Sequence, residues 1–220
     1  MQKRIIFGGE GGQGVQSAAD ILAQAAFEEG LEALYIPNFG IEQRGGISLA
    51  YVQVGEKTIG SPKFLRADLA VAFSGRALAR LEPYIGPESS VLYDSTLLAP
   101  PEVAAEVVGR QAYNTIAPEA FAERQLTKKR QKFPEIEAKR ERILGIPAGE
   151  IAREKLHPRV GNIVILGALA RLVGAIRLEN LEKALEMRLA GKLKRDPALK
   201  ELNFKALHLG WEARRRQVSV

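Results

Sequence analysis

The sequence predicts an α/β fold built on a mixed, mostly parallel sheet, with a helical carboxy-terminal portion. Short apolar runs of strand length recur between residues 5 and 94, and helical repeats with apolar residues three and four positions apart lie between them. Later in the chain the apolar spacing is helical. We therefore expect one domain over residues 1–220, with an α/β core at 1–118, a charged insertion at 119–145 and a helical portion at 146–220.

The first predicted unit, residues 5–22, is a strand followed by a glycine-rich turn and a helix. Five glycines fall within residues 8–14, and the apolar positions after them follow one face of a helix. Glycine permits positive φ and lets a phosphate approach bare N–H groups at the positive end of a helix. We therefore predict positive φ for at least one of Gly11, Gly12 and Gly14. The same glycines would also allow a strand and a helix to pack closely, and the spacing does not separate the two interpretations.

Two nucleotide-binding motifs resemble this turn without matching it. Gly9-x-Gly11-x-x-Gly14 has the spacing of the dinucleotide fingerprint, which expects an acidic residue at the end of the second strand. The predicted second strand, residues 33–37, ends without one. A P-loop requires Lys-Ser or Lys-Thr after the last glycine, and that pair is absent.

The next strands predict the mixed sheet. Residues 31–36 form the second strand and residues 47–54 alternate as a third, after which residues 55–57 turn the chain into Thr58-Ile59 as a predicted hairpin. The loop at 37–46 lies between the second and third strands, and loops at that end of a sheet often bind ligands. Arg44 in this loop, beside Gly45 and Gly46, either binds an anion with its guanidinium group or is an exposed residue of a turn.

Two further apolar runs, at residues 68–73 and 90–94, predict parallel strands joined by a helix at 77–82. Polar residues follow each strand, Ser74-Gly75 after the first and Asp94-Ser95-Thr96 after the second. Both sets are expected at the edge of the sheet that carries the glycine turn. They either contact a ligand or cap the helices that follow.

The second half predicts a buried helix at 161–170, with Asn162 as a cap or an inward-pointing polar group. An amphipathic helix around Leu181–Leu189 and a terminal helix at 203–216 follow. Neither His157 nor His208 has a companion at a metal-binding spacing.

Composition and charge restrict the classes of function that the chain can have. The chain has no cysteine, so it offers no thiolate ligand for zinc or for an iron–sulfur cluster. Residues 1–118 hold 9 Lys/Arg against 13 Asp/Glu, whereas residues 119–220 hold 23 against 13. The basic half is suited to an anionic ligand, an acidic partner or nucleic acid, but no nucleic-acid motif accompanies it. No apolar run approaches the roughly 18 residues of a membrane span, and we expect a cytoplasmic protein that binds neither nucleic acid nor membrane.

Several stretches together resemble the gamma subunit of the 2-oxoacid:ferredoxin oxidoreductases. Their order and spacing cover most of the chain, although the charged insertion looks longer than the family usually has. In chain order they are Gly9-Glu10-Gly11-Gly12-Gln13-Gly14-Val15, Arg44-Gly45-Gly46, Ile146-Pro147-Ala148-Gly149-Glu150-Ile151-Ala152, Asn162-x-x-x-x-Gly167-Ala168 and Asn203-x-x-Ala206-x-x-x-Gly210.

The resemblance implies a three-layer α/β/α fold and a place in a complex that oxidatively decarboxylates a 2-oxoacid of the pyruvate, 2-oxoglutarate or 2-ketoisovalerate type. Such a complex uses coenzyme A and yields acyl-CoA, carbon dioxide and reduced ferredoxin. Thiamine diphosphate and iron–sulfur clusters belong to partner chains, ferredoxin is contacted indirectly, and this chain is inactive alone. No catalytic residue and no metal ligand are predicted. The candidate cofactor-binding residues, for coenzyme A, are Gly9, Gly11, Gly12, Gln13, Gly14, Arg44, Gly45 and Gly46.

Two alternatives stay open on the sequence. One is the smaller subunit of an indolepyruvate-type oxidoreductase, which shares the glycine turn and the Arg-Gly-Gly motif. The other is a non-enzymatic regulatory module that binds a nucleotide or coenzyme A. Neighbouring genes for a thiamine-binding chain and a cluster-bearing chain would distinguish these from the gamma subunit.

Overall fold

The computed structural model describes residues 2–39, 46–96 and 142–213, together with the backbone of residues 216–217. The strands are β1 (Gln2–Glu10), β2 (Glu32–Asn38), β3 (Ile47–Gly55), β4 (Leu69–Ala72), β5 (Ser90–Asp94), β6 (Ile143–Ile146) and β7 (Arg216–Gln217). The helices are α1 (Val15–Glu28), α2 (Gly75–Leu81), α3 (Ala148–Lys155), α4 (Gly161–Val173), α5 (Leu178–Leu193) and α6 (Ala198–Glu212). Short 3-10 turns at Glu82–Tyr84 and Pro158–Val160 follow α2 and α3.

The strands form one mixed sheet in the order β2-β3-β1-β4-β5-β6-β7. β1, β4, β5 and β6 are parallel neighbours, β3 is antiparallel to both β1 and β2, and β7 is antiparallel to β6. The predicted mixed sheet is therefore confirmed. The predicted hairpin from residues 47–54 into Thr58-Ile59 is wrong, because β3 is hydrogen-bonded along both of its edges and leaves none for residues 58–59 to join.

Side-chain alternation along β1 produces the three layers. Ile5 and Phe7 point into the larger core, which lies under α1 and α4, whereas Ile6 points into a smaller core under α2. All three side chains are fully buried. The α/β/α arrangement implied by the resemblance is confirmed, with the glycine turn at the end of an interior strand of the sheet.

Two glycines explain how the carboxy-terminal helices pack. A Cβ atom on Gly210 would lie 1.9 Å from the carbonyl oxygen of Val164, and one on Gly167 would lie 2.1 Å from that of Leu207. α4 and α6 therefore cross with their backbones in contact, and α4 is buried along most of its length. Within the described ranges, no helix combines the length and apolarity needed to cross a bilayer.

Two boundaries in the second half differ from the sequence-based prediction. The helix predicted at 203–216 runs over Ala198–Glu212, because the chain becomes extended at Ala213 and residues 216–217 pair with β6. β6 was not predicted, and it spans the expected boundary between residues 145 and 146. Residues 119–141 of the predicted insertion lie outside the described residues.

Candidate functional site

The glycine turn, residues 9–14, lies at the carboxyl end of β1 where the order of the sheet changes direction. From β1 the chain passes through α1 to β2 and β3 on one side, and β4 lies on the other side of β1. Open α/β sheets bind ligands outside the carboxyl ends of the strands at such a switch point. The turn is therefore where a ligand site is expected on topological grounds.

The glycines of the turn have different roles. Gly12 and Gly14 have φ values of 100° and 77°, which confirms the prediction of positive φ. A Cβ atom on Gly12 would have no atom within 4 Å, whereas one on Gly14 would lie 2.3 Å from Asn162 Nδ2. A Cβ on Gly9 would lie 2.4 Å from Val15 Cγ2. Gly9 and Gly14 thus serve packing, and Gly12 is the position at which the backbone faces open space.

Backbone donors of the turn are left for a ligand. The N–H of Gly11 donates to the Gly46 carbonyl at 2.9 Å and that of Gln13 donates to the Glu10 carbonyl at 3.0 Å. Among the described residues, the N–H groups of Gly12 and Gly14 have no hydrogen-bond acceptor. α1 begins here with no side-chain cap and no acidic residue in its first turn. The positive end of the helix is consequently available to an anion.

The side chain of Gln13 is hydrogen-bonded to the backbone through both of its polar atoms, although the residue is exposed. Its Oε1 accepts a hydrogen bond from the Glu10 N–H at 2.7 Å, and its Nε2 donates to the Phe73 carbonyl at 3.2 Å. Phe73 directly follows β4, so the amide bridges the carboxyl ends of β1 and β4. The sequence had suggested Gln13 only as a cofactor-binding residue, and both ends of its amide are occupied by backbone groups.

One wall of a large cleft is formed by the glycine turn. This main cleft has a volume of about 810 Å³, and its opposite walls come from residues 157–163 and from α5 and α6. The amino-terminal end of α4 therefore faces the same cleft as that of α1. The apolar part is lined by Ile21, Ile163, Leu189, Leu193, Leu199 and Leu202, and the polar part includes Gln13, Ser17, Asn162, Asn203, His157, Arg159 and Lys192.

The main cleft favours negative charge. Within the described parts of the chain, Arg159 and Lys192 form no ion pair. The carboxylate lining the cleft, Asp94, is already engaged, since it accepts hydrogen bonds from the N–H groups of Thr96 at 3.0 Å and Gly149 at 3.1 Å. α4, like α1, has no acidic residue in its first turn. Two cations and two helix amino termini thus face a cleft whose lining carboxylate accepts hydrogen bonds from backbone donors.

Two of the polar residues predicted after β4 and β5, Ser74 and Asp94, accept hydrogen bonds from the first turn of a helix. Ser74 Oγ accepts a hydrogen bond from the Ala77 N–H at 3.2 Å at the start of α2. Asp94 plays the same part for α3 through Gly149. Of the two interpretations that the sequence left open, capping is the one that these hydrogen bonds support. Asn162, predicted as a cap or an inward polar group, lies inside α4 and packs against Gly14.

A smaller pocket of about 320 Å³ lies on the other side of the turn. It is lined by Gly11, Gly12 and Gly46 together with Phe39 and Ile47. Phe39 is 67% exposed. Arg44 and Gly45, which the sequence also nominated, lie outside the described residues, so the predicted anion clamp stays a prediction.

The histidines are engaged in local contacts. His157 Nδ1 accepts a hydrogen bond from the Arg159 N–H at 3.2 Å, and His208 Nε2 pairs with Glu182. In the portion of the chain that the structure describes, no group of three or more His, Cys, Asp or Glu side chains is placed to hold a metal ion.

Comparison with known proteins gives consistent matches over nearly the whole chain. Residues 4–213 match the family model for pyruvate ferredoxin/flavodoxin oxidoreductase. The chain is 32% identical over 192 residues to the pyruvate/ketoisovalerate oxidoreductases common subunit gamma of Pyrococcus abyssi, covering 86% of this chain and 88% of that protein. It is 29% identical over 216 residues to ketoisovalerate oxidoreductase subunit VorA of Methanothermobacter thermautotrophicus, covering 98% of this chain but only 37% of that longer protein.

A solved structure supports the same relationship. The gamma subunit of a keto/oxoacid ferredoxin oxidoreductase from Geobacter sulfurreducens superposes with a TM-score of 0.66 at 25% sequence identity. The superposition covers 96% of each chain. The relatives thus include both separate gamma subunits of similar length and a longer chain of which 37% is similar to this one.

Proposed function

The chain belongs to the pyruvate ferredoxin/flavodoxin oxidoreductase family as a gamma-type subunit, and on that premise we propose that it completes the coenzyme A site of a multisubunit 2-oxoacid:ferredoxin oxidoreductase. The complex decarboxylates a 2-oxoacid oxidatively and transfers the acyl group to coenzyme A, while ferredoxin is reduced. The relatives named for pyruvate, ketoisovalerate and 2-oxoglutarate favour this function over the indolepyruvate-type subunit and the regulatory module.

The observation that carries the proposal is the main cleft. Coenzyme A presents a diphosphate and a 3′-phosphate next to less polar groups, and the cleft offers unpaired turn N–H groups, Arg159 and Lys192 beside an apolar wall. Its volume of about 810 Å³ is in the usual range for ligand sites, which is about 300–1,000 Å³. The proposed contacts are Gly12 and Gly14 in the turn, with Arg159 and Lys192 opposite.

The remaining residues predicted from the sequence fall into two groups: those that hold the turn in shape, and those whose contact with the ligand is still a prediction. Gly9, Gly11, Gln13 and Gly46 hold the turn through packing or hydrogen bonds. Arg44 and Gly45 stay candidates for contact with the anion from the preceding loop.

Other chains must supply the cofactor chemistry. Complexes of this family use thiamine diphosphate and iron–sulfur clusters, and a chain without cysteine cannot hold a cluster through thiolates. The sequence also lacks a Gly-Asp-Gly thiamine signature. We propose that thiamine-binding and cluster-bearing subunits are its partners, and that the contribution of this chain is to bind and orient coenzyme A.

The test uses the assembled complex and three matched variants. Lys192→Gln and Arg159→Gln each remove a cation that lines the main cleft, whereas Lys194→Gln removes an exposed lysine on the same segment that does not line it. Hydrogen bonds to charged groups contribute about 1.5–3 kcal/mol, so each cleft variant should raise the KM for coenzyme A about tenfold. The kcat at saturating coenzyme A should be unchanged, because uniform binding is lost. Equal KM values for Lys192→Gln, Arg159→Gln and Lys194→Gln would reject the cleft as the coenzyme A site.

A further inference from the structure

We infer that Gln13 is a positioning residue, which holds the glycine turn in its ligand-accepting shape by bridging β1 and β4, and that its effect on ligand binding passes through the backbone of the turn. The inference rests on the proposed function, because the ligand is the coenzyme A that the turn is proposed to bind. It assigns the role of the one non-glycine residue inside the Gly11–Gly14 stretch.

The first step in the argument is that both polar atoms of the amide are used within the protein. Oε1 accepts the Glu10 N–H at 2.7 Å and Nε2 donates to the Phe73 carbonyl at 3.2 Å. The amide nitrogen has a second proton, and Gln13 is an exposed residue that lines the main cleft. The experiment therefore has to separate a positioning role from a direct ligand contact.

The second step is that the neighbouring glycine is shaped around this side chain. A Cβ atom on Gly9 would lie 2.9 Å from Gln13 Oε1 as well as 2.4 Å from Val15 Cγ2. A side chain at Gly9 would therefore displace the amide oxygen from its position beside the Glu10 N–H. The Gln13 amide oxygen thus occupies space that a side chain at Gly9 would need.

The third step links the bridge to the open donors. The backbone N–H of Gln13 donates to the Glu10 carbonyl at 3.0 Å, while its side chain accepts from the Glu10 N–H. Residues 10–13 are thus closed into a double hydrogen-bonded loop, and Gly12 at its tip is exposed with φ of 100°. Release of the side-chain bonds would free this loop and lower the fraction of molecules with the donors aligned, which reduces apparent affinity without removing a ligand contact.

The experiment compares Gln13→Met with Gln24→Met in the assembled complex. Methionine matches the length of glutamine without hydrogen bonds or charge. Gln24 lies on α1 and donates to Glu28 Oε1 at 2.9 Å, away from the turn, so it controls for the same substitution. Hydrogen exchange of the peptide covering residues 8–16 is measured without coenzyme A, and KM and kcat for coenzyme A are measured in parallel.

We expect Gln13→Met to speed hydrogen exchange of the turn in the absence of ligand and to raise the KM for coenzyme A about tenfold. The kcat at saturating coenzyme A should change by less than about twofold. Gln24→Met should leave the exchange rate, the KM and the kcat unchanged. A raised KM without faster exchange would make Gln13 a ligand contact and overturn the inference. Faster exchange with an unchanged KM would make it a structural residue only, and also overturn it. In either case the Lys192→Gln result decides separately whether the cleft binds coenzyme A.

Discussion

Gly12→Ala tests directly whether a phosphate approaches the backbone of the turn. Gly12 has φ of 100°, and a Cβ atom placed on it would meet nothing within 4 Å. The cost of the substitution is therefore the backbone conformation alone, about 1–2 kcal/mol for an L-residue at positive φ. Reduced freedom of the unfolded chain offsets about 0.4–1 kcal/mol of this. The net loss of stability should be about 1 kcal/mol, which lowers Tm by about 2–4 °C in a chain of this size.

Gly30 provides a control with the same backbone cost. It lies between α1 and β2, has φ of 79°, and a Cβ atom there would also have no neighbour within 4 Å. Gly30→Ala should therefore lower Tm by a similar amount. Because it is outside both the main cleft and the smaller pocket, it should leave the KM for coenzyme A unchanged.

The assay is the KM for coenzyme A of the assembled complex containing each variant. A methyl group on Gly12 would stand over N–H groups that have no acceptor among the described residues, and we expect KM to rise at least about tenfold, or 1.4 kcal/mol. The comparison with Gly30→Ala removes the effect of general destabilisation. If the two variants show the same KM, no phosphate binds on this turn, and the coenzyme A proposal fails at its central contact.

Two further predictions concern stability. Gly210→Ala should destabilise the fold by more than about 4 kcal/mol, because its Cβ would lie 1.9 Å from the Val164 carbonyl oxygen. The control is Gly191→Ala on α5, where a Cβ would meet nothing within 4 Å. This substitution should stabilise the fold by up to about 1 kcal/mol. Equal urea midpoints for Gly210→Ala and Gly191→Ala would contradict the close crossing of α4 and α6. Burial and the hydrogen bond with Tyr84 raise the pKa of Tyr51 to about 12. The unfolded chain loses that proton near pH 10, so the stabilising contribution is present below pH 10 and is lost as pH rises to 12. Tyr51→Phe should flatten the fall of the urea midpoint between pH 10 and 12, and parallel curves for the two proteins would refute the assignment.

Local patterns predicted the part of the fold that local physics determines. The apolar run of β1, the glycines and the helical face of α1 are contiguous, so a strand, a turn and a helix followed from spacing alone. The same holds for β4, α2 and β5, whose apolar runs are separated by a helical repeat. The positive φ of Gly12 and Gly14 was predictable because a strand that reverses into a helix within so few residues requires left-handed positions.

Features that depend on tertiary contact were not predictable in this way. Arg159 and Lys192 lie on separate elements 33 positions apart, and nothing in their neighbouring residues indicates that they share a cleft. β6 has four residues beside a charged stretch, too few for a clear alternation. The Gln13 bridge required knowledge that β4 lies next to β1, since its second partner is the carbonyl of Phe73.

The topology also explains why the dinucleotide fingerprint is incomplete here. The acidic residue of that fingerprint stands at the end of the second strand, where it reaches the ribose because that strand is next to the first. In this chain β3 lies between β1 and β2 and pairs with both. With about 4.8 Å between neighbouring strands, the end of β2 is displaced by about 10 Å from the end of β1, and an acid there would not reach a ribose held at the turn. The insertion of β3 therefore removes the physical reason for the acid. The charged side chains that line the main cleft beside the turn are instead Arg159 and Lys192.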